Sequence, residues 1–185
     1  MKLTIFSLFL ASAAALTHQS SLNRREMLSS IVATGIASAI IDVEPANALD
    51  ACKKGSNNCI RTTWTPPAGS SKAASIASLK KVLEAYPQEG QDKVDLGGWT
   101  LVENNFSSGS ARLEYQSGIG NFAKFLNGGK PFVDDLRLEI DDSGVVEVRS
   151  SSRVGDSDLG VNQKRLAYLG SGLKAAGWTI PDPKY

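Results

Sequence analysis

Between Arg149 and Arg165 the chain reads RSSSRVGDSDLGVNQKR, a dense run of chemically capable side chains. Arg149, Arg153, Lys164 and Arg165 offer cationic donors, Ser150, Ser151 and Ser152 offer hydroxyls, and Asp156 and Asp158 offer carboxylates. Three uses suit such a set: nucleophilic attack by serine, capture of an anion, or the capping of a strand–turn–helix joint. A serine nucleophile needs a base to take its proton. The single histidine is His18, far upstream, and no lysine stands at a familiar nucleophile spacing, so catalysis is the weakest of the three. Anion capture is stronger, because Arg149 and Arg153 share a strand face with Ser151 between them and run toward a helix N-terminus, whose free amides favour negative charge. Capping is stronger still: Asp158 is placed to accept from the amide of Gly160 or Val161, and Asp156 and Asp158 lie where they could neutralise the arginines. The candidate residues for an anion or a partner are Arg149, Ser151, Arg153, Asp158, Asn162 and Arg165, with no catalytic residue among them.

Other constellations exclude more than they assign. Asp134-Asp135 and Asp141-Asp142 are adjacent in sequence, so on strands their side chains point to opposite faces and form no carboxylate dyad. The tandem does not match a calcium loop. Gly128-Gly129-Lys130 lacks the leading glycine and the hydroxyl residue of a phosphate loop. Cys52 and Cys59, without histidine, do not complete a four-ligand zinc site. No metal and no cofactor is therefore expected. The Gly55-Ser56-Asn57-Asn58 run can turn the chain so that the two cysteines meet. A structural disulfide, contributing about 2.5 kcal/mol through loop closure, is the expected state; two free thiols or a regulatory redox pair are the alternatives.

The elements that must position these residues follow from periodicity. Residues 72–86 set Ile76, Leu79, Val82, Leu83 and Tyr86 on one helical face, and Pro87 ends the helix. Residues 98–104 and 110–117 alternate as strands joined by a turn at 107–109. Leu136, Leu138 and Ile140 alternate on one arm of a hairpin, Val146, Val148 and Ser150 on the other. A turn at Asp142-Ser143-Gly144 sets Ile140 opposite Val146 and Leu138 opposite Val148. The opposite face of that hairpin then carries Arg137, Glu139, Glu147, Arg149 and Arg153. Solvated charge pairs there contribute little stability. A last helix over about 159–176 buries Val161, Leu166, Leu169, Leu173 and Ala176. The expected architecture is α+β, a small antiparallel sheet with two helices packed on one face. Residues 118–131, including Phe122, Phe125 and Lys130, read as a mobile, partly apolar loop of the kind that often carries a binding surface.

Upstream, the chain reads as an address. Residues 1–15 have a basic start, a short apolar run and a small-residue cleavage site, as in a signal peptide. Residues 16–48 carry Arg24-Arg25 ahead of a weakly apolar stretch that ends in Ala46-Asn47-Ala48, the pattern of a twin-arginine export signal. The alternative, a membrane anchor at 27–41, falls short of the roughly 20 apolar residues a spanning helix needs. The stacked signals resemble presequences of thylakoid-lumen proteins in algae whose plastids have extra membranes, such as diatoms. A single globular domain is expected over 49–185. Net charge of the chain is +1, which supplies no long-range field to draw nucleic acid.

The stretch VEVRSSSRVGDSDLGVNQKRL resembles the signature of the domain-of-unknown-function family 1499. It does so at Arg149, Ser150, Ser152, Arg153, Gly155, Ser157, Asp158, Gly160, Asn162 and Arg165. The cysteine loop is similar to that family's at Cys52, Ser56, Asn58 and Cys59, with both of the family's prolines replaced, and PFVDDLRLEI resembles a third family segment. The resemblance implies no reaction, ligand or cofactor. Address and composition together lead to an expectation of a non-catalytic protein of the plastid thylakoid lumen. It would assist or stabilise a photosynthetic membrane complex through the 118–133 loop, the 149–165 stretch, or both, and carry no transmembrane anchor once processed. A binding module for a small anionic or apolar ligand is the alternative; an enzyme comes third.

Overall fold

The structure, a computed structural model, describes residues 49–117, 125 and 127–185. The signal segments at 1–15 and 16–48 and the loop residue Phe122 lie outside the described residues. Among the described residues no helix is long and apolar enough to cross a membrane.

Five strands and two helices build the domain: β1 (Cys59–Trp64), α1 (Lys72–Glu84), β2 (Trp99–Asn105), β3 (Ser110–Gln116), β4 (Val133–Ile140), β5 (Val146–Ser152) and α2 (Val161–Ala175). The strands form one antiparallel sheet in the order β1-β5-β4-β3-β2. β3, and β5 as far as Ser150, bury alternate residues, as a period of two requires when one face is covered. Leu113, Leu136, Leu138, Val146 and Val148 point inward, where Leu79 and Leu83 of α1 and Leu166, Leu169 and Leu173 of α2 pack against them in one core. Both helices therefore lie on one face of an α+β domain, as expected.

The β4–β5 hairpin keeps the expected register, with Ile140 opposite Val146 and Leu138 opposite Val148. Gly144 takes the left-handed position at φ 83°, and Asp141 holds the turn by accepting from the amides of Ser143 and Val145 at 2.9 Å each. Ser71 caps α1 by accepting from the Ala74 amide at 3.2 Å. The helix after β5 starts at Val161 rather than Leu159, because Leu159 (φ 57°) and Gly160 (φ 84°) are left-handed.

β1 is an addition to the sequence-based expectation. Its apolar signal is only Ile60 and Trp64, with the polar Arg61-Thr62-Thr63 between them. Pairing with β5, remote in sequence, makes it a strand. The cysteines are joined, with Cα atoms 5.6 Å apart. The loop they close is stitched to the β5–α2 connection. The Asn57 amide donates to the Asp156 carbonyl at 3.0 Å, and the Asn58 carbonyl accepts from the Ser152 amide at 2.9 Å.

Candidate functional site

The sheet divides the candidate residues of 149–165 into two groups. Asp158, Asn162 and Arg165 belong to the covered face; Arg149, Ser151 and Arg153 belong to the outer face, away from both helices. They do not converge on one site at the helix N-terminus. The amides there are also occupied: Asp158 accepts from Gly160 at 2.9 Å and from Asn162 at 2.8 Å through its carboxylate, and from Val161 at 3.2 Å through its carbonyl. Asp158 is thus a cap for Gly160, as expected, and for Asn162 instead of Val161.

On the covered face Arg165 is fully buried and spends every donor a guanidinium has. Its Nε donates to Asp95 Oδ2 at 2.7 Å, and its Nη2 donates to Asp95 Oδ1 at 2.5 Å and to Asp134 Oδ2 at 2.6 Å. Nη1 donates to Asn162 Oδ1 at 2.7 Å and Ser150 Oγ at 3.1 Å. Its plane sits 4.5 Å from the centre of the Tyr115 ring, a cation–π contact. Tyr86 donates its hydroxyl to Asp95 at 2.7 Å. Burial, then the adjacent Asp95 charge, pushes the Tyr86 phenol well above its ordinary value, so it stays a donor. Asn162 completes the network, donating Nδ2 to Asp158 at 2.5 Å and to Ser152 Oγ at 3.1 Å.

Asp95 is the member of this network that the sequence does not reveal. It lies in an irregular loop whose backbone is left-handed at Asp92, Lys93 and Asp95, conformations that each cost about 1–3 kcal/mol for a non-glycine residue. Gly90 permits the tight fold, since a Cβ there would lie 2.0 Å from the Val94 carbonyl oxygen. The loop sets the Asp95 carboxylate beneath Arg165, and its bonds to Arg165 and Tyr86 hold it there against that cost.

The outer face has a different order. Register places Arg61, Arg149, Arg137 and Arg112 directly opposite one another across β1, β5, β4 and β3, a continuous row of arginines. On one side of it the neighbouring row holds Ser151, Asp135 and Glu114; on the other it holds Thr63, Glu147 and Glu139. The row ends are paired. Arg61 lies 3.6 Å from Glu147, and Arg112 donates to Glu103 at 2.7 Å, Asp135 at 3.0 Å and Glu114 at 3.1 Å. Arg153 reaches the same cluster, donating to Asp135 at 2.8 Å and to Glu114. Burial alone would raise the Asp135 carboxyl, but the hydrogen bonds from Arg153 and Arg112 outweigh it and hold the group below its ordinary range. Glu139 moves the other way: burial and the facing Glu147 lift it despite Arg61 and Arg137 nearby.

The centre of the row is not paired. Arg149 donates Nη1 to Ser151 Oγ at 2.9 Å, and its Nε is buried without a partner. Among the described residues Arg137 has no carboxylate within ion-pair distance, although its side chain is exposed. Arg149 and Arg153 therefore do not meet Asp156 or Asp158; Arg153 takes Asp135 and Glu114, while Arg149 takes a hydroxyl. The hairpin pattern reveals Arg137 and Arg149 on one face, but Arg61 and Arg112 join the row only through the register of β1 and β3.

Other surfaces contribute less. A hollow of about 680 Å³ adjoins the Arg61 end of the row, with Lys72, Glu139, Asp142 and Glu147 at its rim. A groove of about 480 Å³ runs between the helices past Val82, Ala85, Tyr168 and Gly172. In the β3–β4 connection, Phe125 is 78% exposed and Lys130 is exposed.

Asp134 and Asp135 illustrate the division: one side chain meets Arg165 within the core and the other meets Arg153 and Arg112 outside it. Much of the 149–165 signature thus preserves a joint, with Ser150, Ser152, Asp158, Asn162 and Arg165 bonded to one another. No curated protein matches the chain. Residues 51–173, which span both arginine systems, match the family described as "Protein of unknown function (DUF1499)", and the chain belongs to that family.

Proposed function

We propose that the domain is a non-catalytic, partner-binding protein of the plastid thylakoid lumen, and that its partner is a photosynthetic membrane complex. The observation that carries the binding part of this reading is the state of the two arginine systems. The hydrogen-bonding capacity of Arg165 is exhausted inside the fold, whereas Arg137 and Arg149 on the outer face have unused donors. No described helix or strand covers that face. A guanidinium with unused donors at an accessible surface favours an external acceptor. The location rests on the tandem signals at 1–15 and 16–48.

The test is twofold. A fluorescent fusion carrying the native presequence is expected within the plastid, protected from protease in intact thylakoids and released when they are ruptured. On native gels of gently solubilised thylakoids, the tagged protein is expected to comigrate with a photosystem or another photosynthetic complex. Migration only at its own size would overturn the partner reading.

A further inference from the structure

We propose that Arg137 and Arg149, side by side at the centre of the outer sheet face, form the docking site for carboxylates of an acidic segment of a protein partner. This rests on reading the domain as a partner-binding module and names the chemistry that the partner would present.

Arg137 and Arg149 are direct cross-strand neighbours, which puts their Cβ atoms about 5 Å apart. Like charges so placed destabilise a sheet unless something neutralises them, and arginine does not discharge itself by losing a proton. The arginines at the ends of the row have been neutralised from within, Arg61 by Glu147 and Arg112 by Glu103, Glu114 and Asp135. The central pair has no carboxylate within ion-pair distance among the described residues, although Glu139 is near Arg137. Arg149 uses Ser151 Oγ as its acceptor and leaves Nε buried without one. An incoming carboxylate would accept from the exposed Arg137 guanidinium and offset the positive charge of half-buried Arg149, whose Nε stays out of its reach, and so reduce the repulsion between them.

The form of the charged strip selects the ligand. The arginine row is one residue wide, with Asp135 and Glu114 along one side and Glu139 and Glu147 along the other. A broad anionic surface, such as a lipid bilayer or a nucleic-acid backbone, would bring its charge against those carboxylates as well as against the arginines. A narrow acidic segment lying along the row would not. Electrostatic matching of this kind fixes register and speeds encounter.

The experiment is fluorescence anisotropy of a labelled oligoglutamate peptide titrated with the full chain. Saturable binding that weakens with added salt is expected, and an oligoglutamine peptide should not bind. The double variant Arg137→Ala/Arg149→Ala should lose roughly tenfold or more in affinity without a fall in its melting temperature. Arg137→Lys/Arg149→Lys, which keeps the charge and loses the planar fork, should bind with intermediate affinity. Lys174→Ala, altering an exposed lysine paired with Asp182 on α2, should bind like the parent. Failure to bind oligoglutamate, equal binding by the alanine double variant, or tighter binding to phosphatidylglycerol vesicles than to the peptide would each overturn the proposal. Native gels separate this from the parent reading. If the double variant still comigrates with the complex, the docking site is refuted and the partner reading stands. If the unaltered protein does not comigrate, the partner reading itself fails.

Discussion

Arg165 and Arg149 close the two ends of one strand–turn–helix joint, yet the sheet sends them to opposite faces and opposite fates. Beneath the sheet, Arg165 is buried with Asp95 and Asp134, and its donors all find acceptors. Above it, Arg149 is half-buried beside another arginine and finds a serine hydroxyl. The chemical groups are identical, so their surroundings make the difference. A buried charge survives only when it is paired and hydrogen-bonded throughout. At an accessible face an incompletely paired charge is tolerated by water, which leaves it available to a ligand. Arginine in a family signature can therefore mark either a structural linchpin or a binding group, and the face of the sheet distinguishes them.

The largest expected effect breaks the covered face. Arg165→Met leaves Asp95 and Asp134 buried without their cation and is expected to destabilise the domain by about 3–5 kcal/mol, measured as a fall in the urea midpoint. A cost near zero would mean that the network does not organise the joint. Reducing the Cys52–Cys59 disulfide comes next, at about 2.5 kcal/mol. Because its loop is bonded to Asp156, Ser152 and Asn162, reduction should also speed amide exchange at residues 156–162, read by hydrogen-exchange mass spectrometry.

Arg153→Ala is expected to cost less, up to about 1 kcal/mol, because the arginine is 41% exposed in its side chain and solvent screens the pair. Its signature is pH dependence. Asp135 titrates below its ordinary value in the folded state because Arg153 and Arg112 bond its carboxylate against the opposing effect of burial. The stabilisation is thus present above the unfolded value of about 3.9 and is lost as pH falls through the folded one. The difference between Arg153→Ala and the parent should be full at neutral pH and shrink in acid. A difference that stays flat with pH would contradict the pairing. Smallest of all, Arg137→Ala and Arg149→Ala should each change stability by no more than about 0.5 kcal/mol, measured by the same urea titration. A slight gain is the expected direction, since either change relieves a like-charge pair. A large loss from Arg137→Ala would move that residue into the structural class and erase the contrast between the faces.

The legible parts of the fold were those written in local periodicity. The hairpin of β4 and β5 is readable because a strict alternation flanks a turn whose Gly144 is left-handed, which fixes register without distant information. The opposed directions of Asp134 and Asp135 follow from the same rule. β1 was not legible, since Arg61, Thr62 and Thr63 dilute its apolar signal and its partner strand lies far along the chain. Asp95 was invisible for a related reason: a lone carboxylate in an irregular loop has no motif, and only the tertiary fold brings it to Arg165. Arg149 and Arg165 fall in one short stretch of sequence, and proximity along the chain does not tell their two environments apart. Alternation along β5 turns Arg149 outward while α2 carries Arg165 beneath the sheet, and the arginine row becomes visible only when the register of β1, β5, β4 and β3 is known.

The most direct test is an amide chemical-shift titration of the isotope-labelled protein with oligoglutamate. Perturbations are expected to concentrate at Arg61, Arg149, Arg137 and their outer-face neighbours, with the Asn162–Arg165 turn of α2 unmoved. Shifts centred on residues 158–165, or none at all, would contradict the division of labour between the two faces.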